Sequence, residues 1–466
     1  MNYFSSKTWG VAAVALSMLV LSTSATAAER YKDRQFKVKK TTDVSFATKV
    51  PHLSSYHTIT ESLLKYNQAA SILKQDPTTV AYFYNNENDT EKRDLKLDLY
   101  EPKDDKAKDR ALVIVSHGGA MVAGAKDDFE QKSVNYCDSL AARGYVAASI
   151  EYRLGVTLTG KDKQLSIDSV DFARAVYRGV QDVRAAVRYF RANADKYGIN
   201  PERIYLLGNS AGAIISLEDV YARTEDDFPS YIKKKGAPDL GLLDDYGSEG
   251  NPFANGVVAL WGAVHNLKMI GDNKTPVLLI HGTKDETVYF KTGRPLSNVA
   301  KVLQNLIPSE LGATVASYAL DLHAPTLYGS YVIDSLLTKK KIGHETYFVE
   351  GVAHEFYDDD PKYEKEVQKR AFEFLYKLTQ SEPVVGIERK PIMLAQASAI
   401  RMGAGNMNFS VSRGKDLQYA VVDLRGRAAM SGNVSAGQMV DLSSLNSGVY
   451  VLRVQGERAI RFGLGK

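Results

Sequence analysis

Between about residues 80 and 380 the chain alternates short, nearly continuous apolar runs with longer helix-like stretches, and few architectures accept that pattern. Apolar runs of that length suit strands buried on both faces, so the alternation predicts a mostly parallel, doubly wound α/β sheet covered by helices on each side. The expected strands fall at 80–84 and 95–100 as an opening pair, then 111–116, 145–150, 204–207, 257–261, 277–280 and 346–350. A helix is expected over 129–143, around the lone Cys137, which reads as a buried small hydrophobe. The clearest helix repeats Val176, Val180, Val183, Val187, Phe190 and Ala194 at spacings of three and four. Arg174, Arg178, Arg184, Arg188 and Arg191 lie off that stripe and read as a solvated face. Asp182 on the same helix reads as a scaffold position. Segments 217–255 and 309–343 are longer than such a sheet needs; insertions of this kind build the lid and walls of a site.

The flanks read differently. Residues 1–28 have the form of a secretory signal, with Lys7, an apolar run from Trp9 to Leu21 and small residues at Ala25-Thr26-Ala27. That run is too short to span a bilayer comfortably, and no later stretch is long enough, so no transmembrane segment is expected. A single cysteine leaves no internal disulfide to stabilise an exported chain. Residues 29–79 form an extension ahead of the expected sheet, 80–380 the main domain, and 381–399 a linker. Residues 400–466 contain short alternating strands at 417–424, 438–442 and 448–454 separated by Gly-containing turns, the pattern of a small β-sandwich. The formal charge is +4. Nine Lys/Arg against four Asp/Glu lie between 393 and 466, so the basic excess belongs to the tail. A main domain without a basic surplus excludes a nucleic-acid partner of the ordinary kind.

Chemistry concentrates at four turns that end strands. Gly208-Asn209-Ser210-Ala211-Gly212 follows one expected strand and precedes a helix-compatible stretch, the context in which a sharp turn exposes a serine hydroxyl as nucleophile. Upstream, Ser116-His117-Gly118-Gly119-Ala120 closes the 111–116 strand. Amides of Gly118 and Gly119 there, with that of Ala211, can form an oxyanion hole, each donor worth about a hundred- to a thousand-fold in rate. Downstream, His281-Gly282-Thr283-Lys284-Asp285-Glu286 places Asp285 to orient a histidine, with Glu286 as the rival carboxylate. Among the eight histidines, His354 follows the last strand before a final helix at 363–378 and is the expected general base. His52 and His57 precede the sheet, His117, His265 and His281 sit at earlier strand ends, and His323 and His344 lie in the insertion. Tyr152, Trp261 and His265 are the expected pocket walls. Neither metal-ligand spacing nor a phosphate-binding loop is present, so no metal or organic cofactor is expected.

These residues in this order resemble the α/β-hydrolase superfamily, and within it the carboxylesterases and lipases similar to hormone-sensitive lipase, which carry an HGG oxyanion motif. The resemblance covers roughly residues 80–380 and includes Arg93 to Pro102 as an opening strand, Glu151-Tyr152-Arg153-Leu154 and the acidic Asp182. Ala120 and Asn209 depart from the commoner residues at their positions. The resemblance implies a serine esterase acting on short or aromatic acyl esters; the exported, tailed architecture adds the expectation of a small-molecule or polysaccharide-linked ester, with acetyl or feruloyl groups of plant polysaccharides as acyl donors. A peptidase of the same fold and a non-catalytic surface binding protein are the alternatives. Residues 400–466 resemble the C-terminal sorting domains of the type IX secretion system through Val422 to Gly426, Asp441 to Leu445 and Gly448-Val449-Tyr450. That resemblance implies outer-membrane secretion machinery as a partner and a secreted or cell-surface location.

Overall fold

A computed structural model describes residues 28–55, 83–84, 86–127, 132–157, 159–161, 164–167, 169–233, 236–295, 319–322, 324–357, 360–381, 400–402, 408–411, 415–423, 427–454 and 460–464. The expected signal run and most of the linker lie outside them, as does the Leu424-Arg425-Gly426 part of the tail motif. The main sheet is built from β1 (Val38–Leu53), β2 (Thr90–Pro102), β3 (Arg110–Ser116), β4 (Val146–Ile150), β5 (Ile199–Asn209), β6 (Val257–Leu260), β7 (Val277–Gly282) and β8 (Glu345–Val349). Their order across the sheet is β1-β2-β4-β3-β5-β6-β7-β8. The pairs β1–β2 and β2–β4 are antiparallel, and every pair from β4 to β8 is parallel.

Alternation within the fully buried strands sends side chains to two cores, which is why the sequence shows unbroken apolar runs. Leu112, Ile114, Leu206, Ala259 and Leu279 pack with helices α2 (Ser169–Ala192) and α3 (Ala211–Tyr221). Ala111, Val113, Val115, Leu207, Val258 and Ile280 pack on the opposite face with helices α1 (Ser133–Ala141) and α5 (Pro361–Gln380). Each Val, Leu or Ile so buried contributes about 1.5–3 kcal/mol of transfer free energy. Cys137 lies in the second core as a buried thiol, its pKa raised by burial. This is the expected doubly wound α/β sheet, with helices on both faces.

The opening pair differs from expectation. The partner of β2 is β1, within the stretch read as an extension ahead of the sheet. Phe83–Tyr84 instead pairs in parallel with Val156–Thr157, apart from the main sheet, and residues 80–82 lie outside the described set. β1 is an edge strand exposed over its first part on both faces, so Lys39, Lys40, Thr41, Thr42 and Asp43 carry no apolar alternation.

The arginine face of α2 is a correction. Arg174, Arg178, Arg184 and Arg188 are all buried, and Arg191 is half-buried. Their guanidinium groups reach the 222–255 segment and its surroundings: Arg174 Nη2 donates to Pro238 O at 2.6 Å, Arg188 Nε to Ser248 O at 2.6 Å and Arg191 Nη2 to Phe253 O at 3.1 Å. Tyr177 and Gln181 add bonds to the carbonyls of Gly241, Leu240 and Leu242. An irregular segment laid over a helix leaves carbonyls that water cannot reach, and the fork of guanidinium donors satisfies them. The insertion expected as a lid is therefore fastened to α2.

The C-terminal residues form two antiparallel sheets. One contains β9 (Ile400–Met402), β10 (Asn408–Val411) and β13 (Met439–Asp441); the other has the order β12 (Ala428–Val434), β11 (Leu417–Asp423), β14 (Gly448–Val454), β15 (Ile460–Leu464). Phe409, Val421, Val434, Leu442 and Leu452 fill a common core.

Candidate active site

The turns that end β3, β5, β7 and β8 gather at the carboxyl ends of the parallel strands, where open α/β sheets present their clefts. β5 passes directly into α3 through Ser210, which adopts φ 52° and ψ −117° and donates its amide to Leu260 O at 2.9 Å. The two flanking glycines are steric requirements. A β-carbon at Gly208 would stand 2.3 Å from the Gly212 backbone, and one at Gly212 would stand 2.1 Å from Ser116 O. The strain at Ser210 holds its hydroxyl away from the strand.

His354, in the turn after β8, places Nε2 3.0 Å from Ser210 Oγ and Nδ1 2.7 Å from Asp285 Oδ2. The three side chains thus form one hydrogen-bonded row, drawn from residues 144 and 69 positions apart. Asp285 is buried, and its Oδ1 accepts the amides of Thr287 and Val288 at 2.8 and 2.9 Å. Burial alone would raise the Asp285 pKa; hydrogen bonds from His281 and His354 outweigh it and hold the carboxyl well below its ordinary range. Burial likewise works to lower the His354 pKa, but the bond and charge of Asp285 leave it raised above 6.5. The neighbouring Glu286 is exposed, so Asp285 and not its rival meets the imidazole.

The upstream turn is shaped by its histidine. His117 is buried, with a pKa pushed down to about 4 by burial, and its Nδ1–H donates to Gly118 O at 2.7 Å. Gly119, Ala120 and Met121 all have positive φ, so the chain curls tightly there. Among the described residues, neither the Gly118 nor the Gly119 amide is spent on a backbone carbonyl. Ala211 is the first residue of α3, where helix amides carry positive partial charge.

Each of the three expected pocket walls is engaged with its own partners. Tyr152 is buried, stacks on His117 with centroids 4.4 Å apart, and donates its hydroxyl to His117 O and Gly118 O at 3.0 and 3.1 Å. It braces the upstream turn. Trp261 is fully buried and meets His354, Phe356 and Tyr357 edge to face, at 6.1, 5.4 and 4.8 Å. It supports the histidine turn from beneath. His265 faces Glu218 at 2.7 Å, donates Nε2–H to Asp227 O at 2.9 Å and stacks on Phe228. It joins α3 to the insertion. Asp182 accepts Arg153 N at 2.6 Å and Arg153 Nε at 2.9 Å, a buried brace within the scaffold. What sequence reasoning missed is His281, whose buried imidazole lies 3.1 Å from Asp285 Oδ2. Its only signal was its place four residues before the carboxylate. Among the described residues, no group of three His, Cys, Asp or Glu could hold a metal ion.

A family profile described as BD-FAE matches residues 97–239, a span that includes Gly118, Gly119 and Ser210 and ends before Asp285 and His354. The chain is similar to carboxylesterase 3B of Mus musculus, 32% identical over 125 residues, covering 26% of this chain and 19% of that protein. It is also similar to acylcarnitine hydrolase of Mus musculus, 29% identical over 170 residues, covering 35% of this chain and 27% of that protein. The chain therefore matches about a fifth to a quarter of the length of these relatives. Among solved structures, a propionate-bound thermophilic esterase from Thermogutta terrifontis is 20% identical with a TM-score of 0.38, over 61% of this chain and 90% of that one.

Proposed function

We propose that this protein hydrolyses carboxylic esters through an acyl-enzyme on Ser210. The observation that carries the reading is the row Ser210 Oγ, His354 Nε2, His354 Nδ1, Asp285 Oδ2, with spacings of 3.0 and 2.7 Å at its two hydrogen bonds. As Ser210 Oγ attacks the ester carbonyl, its proton passes to His354 Nε2, and Asp285 stabilises the imidazolium and fixes the tautomer. The carbonyl oxygen, now an anion, is received by the amides of Gly118, Gly119 and Ala211. Collapse of the tetrahedral species expels the alcohol, which takes the proton from His354. Water then attacks the acyl group by the same route and frees Ser210. The names of the two curated relatives support ester hydrolysis, as does the match of the BD-FAE profile to the part of the chain with the nucleophile.

The finer reading is that the acyl groups are short or aromatic, acetyl or feruloyl, on plant polysaccharides, and that the protein works outside the cell. Support for export comes from the apolar run Trp9 to Leu21 and the small residues after it, and from the type IX-like motifs of the tail. Hydrolysis of p-nitrophenyl acetate and of methyl ferulate by wild type and Ser210→Ala tests the chemistry. Wild-type turnover with the variant near background is expected, together with fluorophosphonate labelling of the wild type alone. Undiminished activity in Ser210→Ala ends the reading. Fractionation of cells carrying the full chain tests the location, with the protein expected in the medium or on the surface.

A further inference from the structure

We propose that His281 is a positioning residue for the reaction, pinning Asp285 Oδ2 at the point where it meets His354 Nδ1. The inference rests on the Ser210–His354–Asp285 reading and extends it by one buried histidine and one buried serine.

His281 is the fifth residue of β7 and is fully buried. Its Nε2 lies 2.8 Å from Val288 O and 3.1 Å from Asp285 Oδ2. A backbone carbonyl only accepts, so Nε2 carries a proton and donates to both. Nδ1 lies 2.8 Å from the hydroxyl of Ser330, the first residue of helix α4 (Ser330–Lys340). The other acceptor within reach of that hydroxyl, Gly262 O, is 3.5 Å away, so the serine proton goes to Nδ1 and the tautomer with Nε2–H is favoured. Ser330 thus reinforces, from Nδ1, the tautomer that Val288 O already requires.

The bonds close a ring. Val288 O takes the His281 proton while Val288 N donates to Asp285 Oδ1 at 2.9 Å. The imidazole therefore holds the 285–288 turn by its carbonyl and by its carboxylate together. Asp285 Oδ2 is shared between two imidazoles, 3.1 Å from one and 2.7 Å from the other. Two donors at fixed positions leave that oxygen no freedom to swing away when His354 changes protonation state during turnover.

The test compares His281→Leu, which removes the donor at similar volume, with His281→Gln, whose amide nitrogen can stand where Nε2 stood. We expect kcat of His281→Leu on p-nitrophenyl acetate to fall about ten- to a hundred-fold with KM nearly unchanged, and His281→Gln to recover most of the loss. Proton NMR of the full chain supplies a readout that packing alone does not move: the far-downfield imidazole proton of the His354–Asp285 bond should shift or vanish in His281→Leu. Ser330→Ala should lower kcat about three- to tenfold because Nδ1 loses the bond that holds the ring in place, and it carries the test should His281→Leu not fold. Inactive Ser210→Ala alongside His281→Leu with wild-type kcat and an unmoved downfield proton overturns this inference alone. Failure of Gln to rescue also overturns it. Full activity in Ser210→Ala overturns the underlying reading as well.

Discussion

Arg178 and Glu87 form a fully buried ion pair across 91 residues of chain, and Arg174 shares the same carboxylate. The pair ties α2 to the segment before β2, and Arg178 extends the tie by donating to Gly155 O at 2.8 Å. Removing one partner of such a pair leaves the other charged and dry, which typically costs about 3–5 kcal/mol. Glu87→Gln should therefore lower the denaturant midpoint sharply. Equal midpoints for wild type and Glu87→Gln would return these arginines to a solvated face.

The two adjacent carboxylates give a clean comparison. Asp285→Asn keeps the shape but lets the side chain settle His354 in the wrong tautomer, so kcat should fall by about 10⁴-fold. Glu286→Gln, at an exposed position, should stay within about twofold of wild type. Steady-state kinetics on one ester decides between them, and the reverse ranking would transfer the acid role to Glu286.

At the elbow, Gly212→Ala would drive a methyl group to 2.1 Å from Ser116 O, so either the helix or the upstream turn must move. The expected cost is about 1–3 kcal/mol of stability, with activity falling further than stability because both Ser210 and the oxyanion amides are displaced. Gly343→Ala, where a β-carbon meets nothing within 4 Å, serves as the control and should melt like wild type.

Because Asp285 raises the pKa of His354 above 6.5, the neutral imidazole that accepts the Ser210 proton is lost at a higher pH than for an ordinary histidine. The acid limb of kcat/KM should therefore have its midpoint above that value, with activity falling as pH drops through it. Asp285 itself stays ionised throughout this window, so a single ionisation should describe the limb. A midpoint at or below 6.5 would mean that burial of His354 outweighs the bond and charge of Asp285.

The parts of the fold legible in the sequence were those governed by burial on both faces. β3, β4, β6, β7 and the second half of β5 announce themselves as short apolar runs because each is covered above and below, whereas β8, at the sheet edge, is only half-buried. β1 did not, since the first part of this edge strand is exposed on both faces and so can carry Lys39, Lys40 and Asp43. The arginines of α2 were misread for a related reason: periodicity registers apolar contacts, and the second layer over α2 is held by guanidinium-to-carbonyl bonds that have no apolar signature. At the site, the hydroxyl, carboxylate and imidazole were legible because turn chemistry and chain order restrict them. The roles of Tyr152, Trp261 and His265 depended on which way each side chain turns after its strand, and strand periodicity does not specify that beyond the last paired residue.

Ser210 precedes Asp285 by most of two strand–helix units, and His354 comes later still, beyond α4 and β8. A chain emerging from synthesis in order presents its hydroxyl long before His354, the imidazole of the row, exists. Unfinished or truncated copies ending before the last strand would lack His354, so the hydrogen-bonded row cannot assemble until β8 and the turn after it are in place.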